Sequence, residues 1–417
     1  MPLVEITAMT FGPYGVGRVD GKSTMVPNAV PGDLAEVTVQ SERGGYSIAR
    51  IDRLVRPGPA RRTPPCPFLP QCGGCDWQQI DYAEQVRLKA GIVAREFKQA
   101  FGIDLALAGL VEPSPAEFGY RSRVRLKLGR GGAIGFFELG TNRMVDIDRC
   151  LVADCDLHPA SALARALSRD LTEIEVVRQS ETKQILVGYL KKPAIERQLD
   201  GVRRFLDSNP AVAGVVLRAG HSRRVVGNAE VEVELEAGLT LRNDADLFSQ
   251  VNRPQNLNLV AAVMEMAAPA PSIAMIDLFC GAGNFSIPAL RRGARVTGVD
   301  SEDAAVAAAA RNAERLGFRD AQFAAMNAHD LAAFLHRARS HPEVVVLDPP
   351  RTGASELMEP VARLRPARIV YVSCDIATLI RDLRILCAEK FSIDRVRAFD
   401  FFPNTHHVEI AACMVLT

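Results

Sequence analysis

Apolar and polar residues alternate in short runs over residues 1–58, at Leu3 to Ala8, Gly17 to Val19, Ser23 to Val26, Asp33 to Val39 and Tyr46 to Val55. Alternation with period two buries one face of a strand. Asp20-Gly21 and Pro31-Gly32 supply turns between the runs. So short an all-β segment protects its edges by closing on itself, which predicts a five-stranded barrel of a kind that often binds RNA. Pro57, Pro59, Pro64 and Pro65 then form a linker. Between Asp81 and Phe101 the period changes: Val86, Leu88, Ile92, Val93 and Phe97 fall at helical spacing and predict a long amphipathic helix.

Residues 112 to about 240 mix strand-like runs, Val212 to Leu217 and Val231 to Leu235 among them, with helical stretches. Beyond them, a helix from Pro254 to Met266 precedes three strand-like runs, Ala274 to Phe279, Ala294 to Val299 and the wholly apolar, β-branched Ile369 to Val372. Such runs suit parallel strands buried on both faces. The pattern divides the chain into a barrel (1–58), a central mixed α+β region (59–247) and a carboxy-terminal α/β domain (248–417).

Length and composition fit this division, since 417 residues at 48% hydrophobic support two or three cores. The absence of an apolar run long enough to span a bilayer, and a start without a signal-peptide layout, predict a cytoplasmic protein with no membrane partner. Its nine cysteines are then expected to be free, catalytic or metal-bound. The net charge of +1 carries no sign of nucleic acid, but the distribution does. Six arginines stand against one aspartate between Arg43 and Arg62. Arg121, Arg123, Arg125 and Lys127 alternate in strand period, which predicts one cationic face for RNA to meet.

Three stretches carry chemistry. Cys66, Cys72 and Cys75 lie in a proline- and glycine-rich loop whose spacing lets three thiols converge, with a fourth ligand from Cys150 or Cys155; either zinc or an iron–sulfur cluster fits. The strand ending at Phe279 runs into Gly281-Ala-Gly283 and Asn284, and Asp300 ends the next strand, placed for both hydroxyls of a ribose. With neither a third glycine nor Gly-Lys-Ser/Thr, the turn suits S-adenosylmethionine, which has no phosphates to cradle. Finally, Cys374 falls where the run Ile369 to Val372 ends, flanked in sequence by Asp348-Pro-Pro-Arg351 and His407-Val-Glu409. We read it as a nucleophile at the active edge of the sheet, served by a carboxylate base.

Taken in order, Cys-x5-Cys-x2-Cys, Gly-Tyr-Arg, Phe-x-Gln-Val-Asn, Asp-Leu-Phe-Cys-Gly-x-Gly-Asn-Phe, Asp-Pro-Pro-Arg-x-Gly, Val-Ser-Cys and Phe-Pro-x-Thr-x-His-x-Glu resemble the RNA uridine-C5 methyltransferases. Within that family the iron–sulfur member acting on 23S ribosomal RNA is the nearest likeness. The resemblance implies a Rossmann-like class I α/β methyltransferase domain, an OB-like TRAM β-barrel before it and a central mixed α+β iron–sulfur domain. The helix within residues 81–110 is expected to pack on the catalytic domain. The resemblance also implies a four-iron, four-sulfur cluster on Cys66, Cys72, Cys75 and Cys150. It places S-adenosylmethionine against Gln250, Phe279, Asn284, Asp300, Asn327 and Asp348. Cys374 is then the nucleophile toward uracil C6, Glu409 the base that takes the C5 proton, and Arg121 and Arg123 hold flanking RNA. A monomer is expected.

Two other readings stand beside it: a transfer-RNA T-loop enzyme of the same family, and an inert iron–sulfur protein that binds RNA or senses redox state. Binding alone requires neither Cys374 nor Glu409. One departure is Ser373-Cys374-Asp375-Ile376-Ala377-Thr378 where the family has Ser-Cys-Asn-Pro-Ala-Thr. A carboxylate beside the thiol raises its pKa unless it is turned away or paired.

Overall fold

The first 58 residues form one six-stranded antiparallel and mixed sheet, in the order Leu3–Glu5, Leu34–Glu42, Tyr46–Arg56, Lys22–Pro27, Tyr14–Val19, Ala8–Met9. The two outer strands are consecutive in the chain, so the bend at residues 6 and 7 joins one edge to the other. Ile6 N–H donates to the Asp33 carbonyl on one side and Thr7 N–H to the Val16 carbonyl on the other. Val4, Ile6, Val26, Ala35, Val37 and Ala49 fill the interior. This architecture comes from a computed structural model that describes residues 1–129, 132–167, 170–191, 195–337 and 341–417.

The central region is built on a seven-stranded sheet, Met144–Asp146, Ile134–Phe137, Arg123–Leu128, Leu171–Arg178, Gln184–Leu190, Val212–Ala219, Ser222–Gly227. The helices His158–Leu167 and Leu199–Asp207 cover one face through Leu163, Leu167, Val202 and Phe205.

The largest sheet has eight strands in the order Ala321–Ala325, Arg295–Asp300, Ala274–Leu278, Val344–Leu347, Arg368–Ser373, Glu409–Leu416, Phe391–Phe399, Val111–Glu112. The first five are parallel and Glu409–Leu416 runs antiparallel to both of its neighbours. Chain order reverses at Ala274–Leu278, which lies between the first and the third of the strands that follow it in the chain. In an open α/β sheet a ligand crevice opens at that point, beyond the carboxyl ends of the strands.

Two pieces from earlier in the chain belong to this body. Val93 and Phe97 of the helix Tyr82–Phe101 share a core with Leu383, Leu386 and Ile410, and Val111–Glu112 extends the sheet. The hairpin Glu230–Glu236/Leu239–Asp244 lies between the two bodies: Val231 packs with Val177 and Ile185, whereas Val233, Leu235 and Leu241 pack with Leu259 and Phe285. A boundary at 247/248 therefore cuts through a shared core. One face of the hairpin is buried, Val231 in one core and Val233, Leu235 and Leu241 in the other, while Glu230, Glu232 and Glu234 stay exposed.

The helix Tyr82–Phe101 is also held by charge. Lys89, fully buried, donates to Asp400 Oδ1 at 2.6 Å and to the Phe402 carbonyl at 3.2 Å. Removing one partner of a buried pair leaves the other uncompensated. Lys89→Met is therefore expected to destabilise the protein by about 3–5 kcal/mol in urea denaturation. The double change Lys89→Met/Asp400→Leu should recover much of that loss.

Candidate active site

The carboxyl edge of the parallel strands gathers most of the residues singled out from the sequence. Gln250, Phe279, Asn284 and Asp348 line one cavity together with Phe248, Cys280 and Gly281. Phe279 turns left-handed at φ +62°, a rare conformation for a side-chain-bearing residue, and so opens the glycine turn. At Gly283, φ is +103° and a Cβ would stand 2.9 Å from Ile287 Cγ1, so only glycine fits. Asp300 ties the same turn down, accepting from Gly281 N–H at 2.9 Å and from Glu302 N–H at 3.0 Å. Each carboxylate oxygen keeps a second lone pair for a hydroxyl. Asn284 and Asn256 exchange amide hydrogen bonds at 2.9 and 3.1 Å.

Asn327 stands apart from this set. It is exposed and does not line the cavity; its Oδ1 accepts from Asp330 N–H at 2.9 Å, capping the helix Ala328–Arg337. An asparagine just before a helix is a capping signal in its own right.

Cys374 follows directly on the strand Arg368–Ser373 and is half-buried. Ser373 pairs with Ile410 across the antiparallel ladder, so the register carries Cys374 opposite Glu409. Burial pushes the Cys374 thiol up to about 11, the Glu409 and Asp348 charges add to this, and Arg351 opposes it by charge and by a hydrogen bond. Glu409 is only 4% exposed. Burial, reinforced by Asp348, drives its carboxyl well above the ordinary carboxylate range, with Arg351 again opposing. Asp348, raised to about 7 by burial, accepts from Gln250 Nε2 at 3.4 Å.

Arg351 is the functional residue that sequence reasoning quoted without a role. It is the cation common to the thiol and the buried carboxyl, and its Nη2 lies 3.4 Å from His407 Nε2. The available signal was its position: a guanidinium immediately beyond Asp348-Pro-Pro, at the active edge. His407 is held neutral, lowered to about 3 by burial and then by His406 and Arg351.

Asp375 is turned away from the thiol. It caps the helix Ile376–Ala388, accepting from Thr378 N–H at 2.9 Å and Thr378 Oγ1 at 3.2 Å. The departure from the family's asparagine thus substitutes one good helix cap for another.

The cysteines form a second centre. Cys66, Cys72, Cys75 and Cys150 line one cavity with Arg121, and Cys155 lies outside it. Burial raises the Cys72, Cys75 and Cys150 thiols, Cys75 to about 12. Among the described residues no three His, Cys, Asp or Glu side chains come together tightly enough for a single metal ion.

Most of the cationic residues singled out from the sequence have partners. Arg121 faces the thiol cavity, with its guanidinium 5.5 Å from the Phe402 ring and 5.7 Å from the Tyr120 ring. Arg123 is 10% exposed and pairs with Glu175 at 3.3 Å, while Arg125 and Lys127 both pair with Glu173. The predicted cationic strand therefore meets carboxylates of the neighbouring strand, with Arg125 and Lys127 still 51% and 41% exposed and Arg123 largely buried. In the amino-terminal run Arg50, Arg53, Arg56, Arg61 and Arg62 likewise meet Asp52, Glu36, Glu5, Asp33 and Glu117.

With this geometry in place, comparison with known proteins is decisive. A family profile described as tRNA (Uracil-5-)-methyltransferase matches residues 167–416. A 23S rRNA (uracil(1939)-C(5))-methyltransferase, RlmD, from Pectobacterium atrosepticum is 32% identical over 98% of this chain and 93% of its own length. The chain belongs to the RNA uracil-C5 methyltransferase family. The RlmD of Thiobacillus denitrificans is 31% identical and covers 99% of both chains. Among solved structures, the Pyrococcus abyssi tRNA (uracil-54, C5)-methyltransferase in complex with S-adenosyl-L-homocysteine superposes with a TM-score of 0.76 at 24% identity, covering 99% of each chain, which supports the class I fold. Among the described residues no helix is long and apolar enough to cross a membrane.

Proposed function

We propose that this chain methylates C5 of a uridine in 23S ribosomal RNA, with S-adenosylmethionine as methyl donor, through a covalent adduct at Cys374. The observation that carries the reading is the register that sets Cys374 opposite a buried Glu409, with Arg351 interacting with both.

The chemistry follows from uracil, whose C5 is too weak a nucleophile to displace a methyl group from a sulfonium unaided. The Cys374 thiolate adds to C6, the electrons collect at C5, and C5 takes the methyl group. Glu409 then removes the C5 proton and the C6–S bond breaks, restoring the aromatic base and the thiolate. Desolvation makes Glu409 a stronger base than an exposed carboxylate. Arg351 favours the thiolate over the thiol. Gln250 and Asp348 would orient the base and the cofactor. Asp300 would hold the ribose, and Phe279 and Asn284 the rest of the cofactor. Asn327 would meet the adenine from the end of the strand Ala321–Ala325. The target uridine leaves its stack to reach Cys374, at a cost of roughly a few kcal/mol that is smaller in a loop.

The four thiols around one cavity support a four-iron, four-sulfur cluster as a resident group. The cavity lining offers sulfur donors without histidine or carboxylate, and a cubane gives each thiolate its own iron, so no compact single-ion site is needed. Cys66, Cys72, Cys75 and Cys150 would hold it, and its contribution is structural rather than a step in methyl transfer. The amino-terminal barrel supports a TRAM-type role in gripping RNA.

Protein prepared anaerobically is incubated with S-adenosylmethionine and unmodified 23S or transfer RNA, and nucleosides are read by mass spectrometry. 5-Methyluridine in 23S RNA alone is the expected result. Product only in transfer RNA moves the reading to the T-loop activity, and no product on either RNA while both still bind overturns methylation. Iron and acid-labile sulfide are expected at about four each per chain, and zinc in their place overturns the cluster.

A further inference from the structure

The loop that carries Arg351 is suspended from a carboxylate that takes no part in the chemistry above. Asp382, on the helix Ile376–Ala388, is fully buried. Its Oδ2 accepts from the Tyr371 hydroxyl at 2.6 Å and from Ala354 N–H at 2.7 Å, and its Oδ1 accepts from Arg381 Nε at 2.7 Å. Arg381 Nη2 in turn donates to the Thr352 carbonyl at 2.9 Å. Between those two anchor points, Gly353 sits at φ +71°, where a Cβ would stand 2.4 Å from Arg381 Nη2 and 2.6 Å from Asp382 Oδ2. The backbone of residues 352–354 is thus drawn flat against the Asp382–Arg381 pair.

This one carboxylate joins two elements that must agree for the nucleophile to work. Tyr371 lies on the strand that ends at Cys374, and Thr352 to Ala354 continue directly from Arg351. We propose that Asp382, with Arg381, is a positioning residue: it locks the loop after Arg351 to the Cys374 strand and so holds the guanidinium beside the thiol. The inference rests on the reading of Cys374 as the nucleophile. The buried carboxylate ties the Ala354 amide of the loop to the Tyr371 hydroxyl of the strand, and such positioning matters for a charge acting over a few ångströms. A purely structural carboxylate would add stability to the helix without changing the thiol.

The test reads the thiol directly, in the full protein without RNA. The rate of Cys374 carboxymethylation by iodoacetate, located by peptide mass spectrometry, is followed against pH in Arg351→Met, Asp382→Asn, Arg381→Gln and the double variant Asp382→Asn/Arg351→Met. If Asp382 positions Arg351, Asp382→Asn moves the titration upward by about one pH unit, roughly a tenfold loss of thiolate at neutral pH. Arg381→Gln, on a more exposed side chain, shifts it the same way by less, and keeps the test open if Asp382→Asn folds poorly. The double variant reacts like Arg351→Met alone, because the tether has nothing left to position. An unchanged titration in both Asp382→Asn and Arg381→Gln, or effects that add to that of Arg351→Met, overturns the proposal. Failure of the nucleophile reading shows separately, as 5-methyluridine formed by protein whose Cys374 has been replaced.

Discussion

Cys374→Ala protein is expected to make no detectable 5-methyluridine while still binding S-adenosylmethionine and RNA. The cavity lined by Gln250, Phe279, Asn284 and Asp348, proposed for the cofactor, does not include Cys374, so cofactor affinity has no reason to change. The thiol side chain is half-buried at the end of a strand, and replacing it with a methyl group leaves the backbone ladder from Arg368 to Ser373 intact. What is lost is addition to C6, without which C5 never becomes nucleophilic. Cys374→Ser separates this from a packing effect: the volume is kept, but a hydroxyl is a far poorer nucleophile at neutral pH, so activity stays at background. The measurement is mass spectrometry of digested RNA beside isothermal titration with S-adenosylhomocysteine. Turnover above background in either variant would sink the mechanism.

Glu409→Gln gives the opposite picture, a protein that starts the reaction and cannot finish it. Addition and methyl transfer need only Cys374 and the cofactor, whereas release needs the C5 proton removed. Loss of a general base costs on the order of 10²–10⁴ in rate. A methylated RNA–protein adduct should therefore accumulate, resistant to denaturing electrophoresis and absent when Cys374 is also replaced. The pH dependence carries a definite sign. When ionised, Glu409 is one of the charges that raise the Cys374 thiol, so removing it lowers the titration of that thiol from its value of about 11. Cys374 in Glu409→Gln should consequently be alkylated faster than in the parent protein above the pH at which Glu409 ionises, and at the same rate well below it. Slower alkylation throughout would show that Glu409 acts on the thiol as its base rather than on the C5 proton.

Much of the site was legible from residue order alone. The glycine turn after Leu278, the acidic strand end at Asp300 and the thiol after Ser373 are each fixed by a strand and the few residues beyond it, and they appear at the carboxyl edge as the pattern predicts. Asp375 was readable too, since an aspartate three residues before a threonine at the start of an apolar helical run is a cap. Asn327, which the resemblance assigns to the cofactor, also carries a local signal, since its Oδ1 accepts from Asp330 N–H at the start of a helix.

What the sequence by itself determined is whatever depends on neighbours along the chain: period, turn, cap and the chemical kind of each side chain. What only the tertiary structure decided is which charges meet. Arg125 and Lys127 look cationic until Glu173 arrives from the next strand, and Arg351 looks like a surface arginine until the ladder brings Glu409 and Cys374 beneath it. The same holds for domain membership, since Val93 and Phe97 are amphipathic in sequence but buried by residues some 290 positions later. Hydrophobic period reports that a face will be covered and leaves open by what. Electrostatic interaction and desolvation act through space, so the pairing of Lys89 with Asp400 and the raised proton affinity of Glu409 exist only once the chain has closed around them.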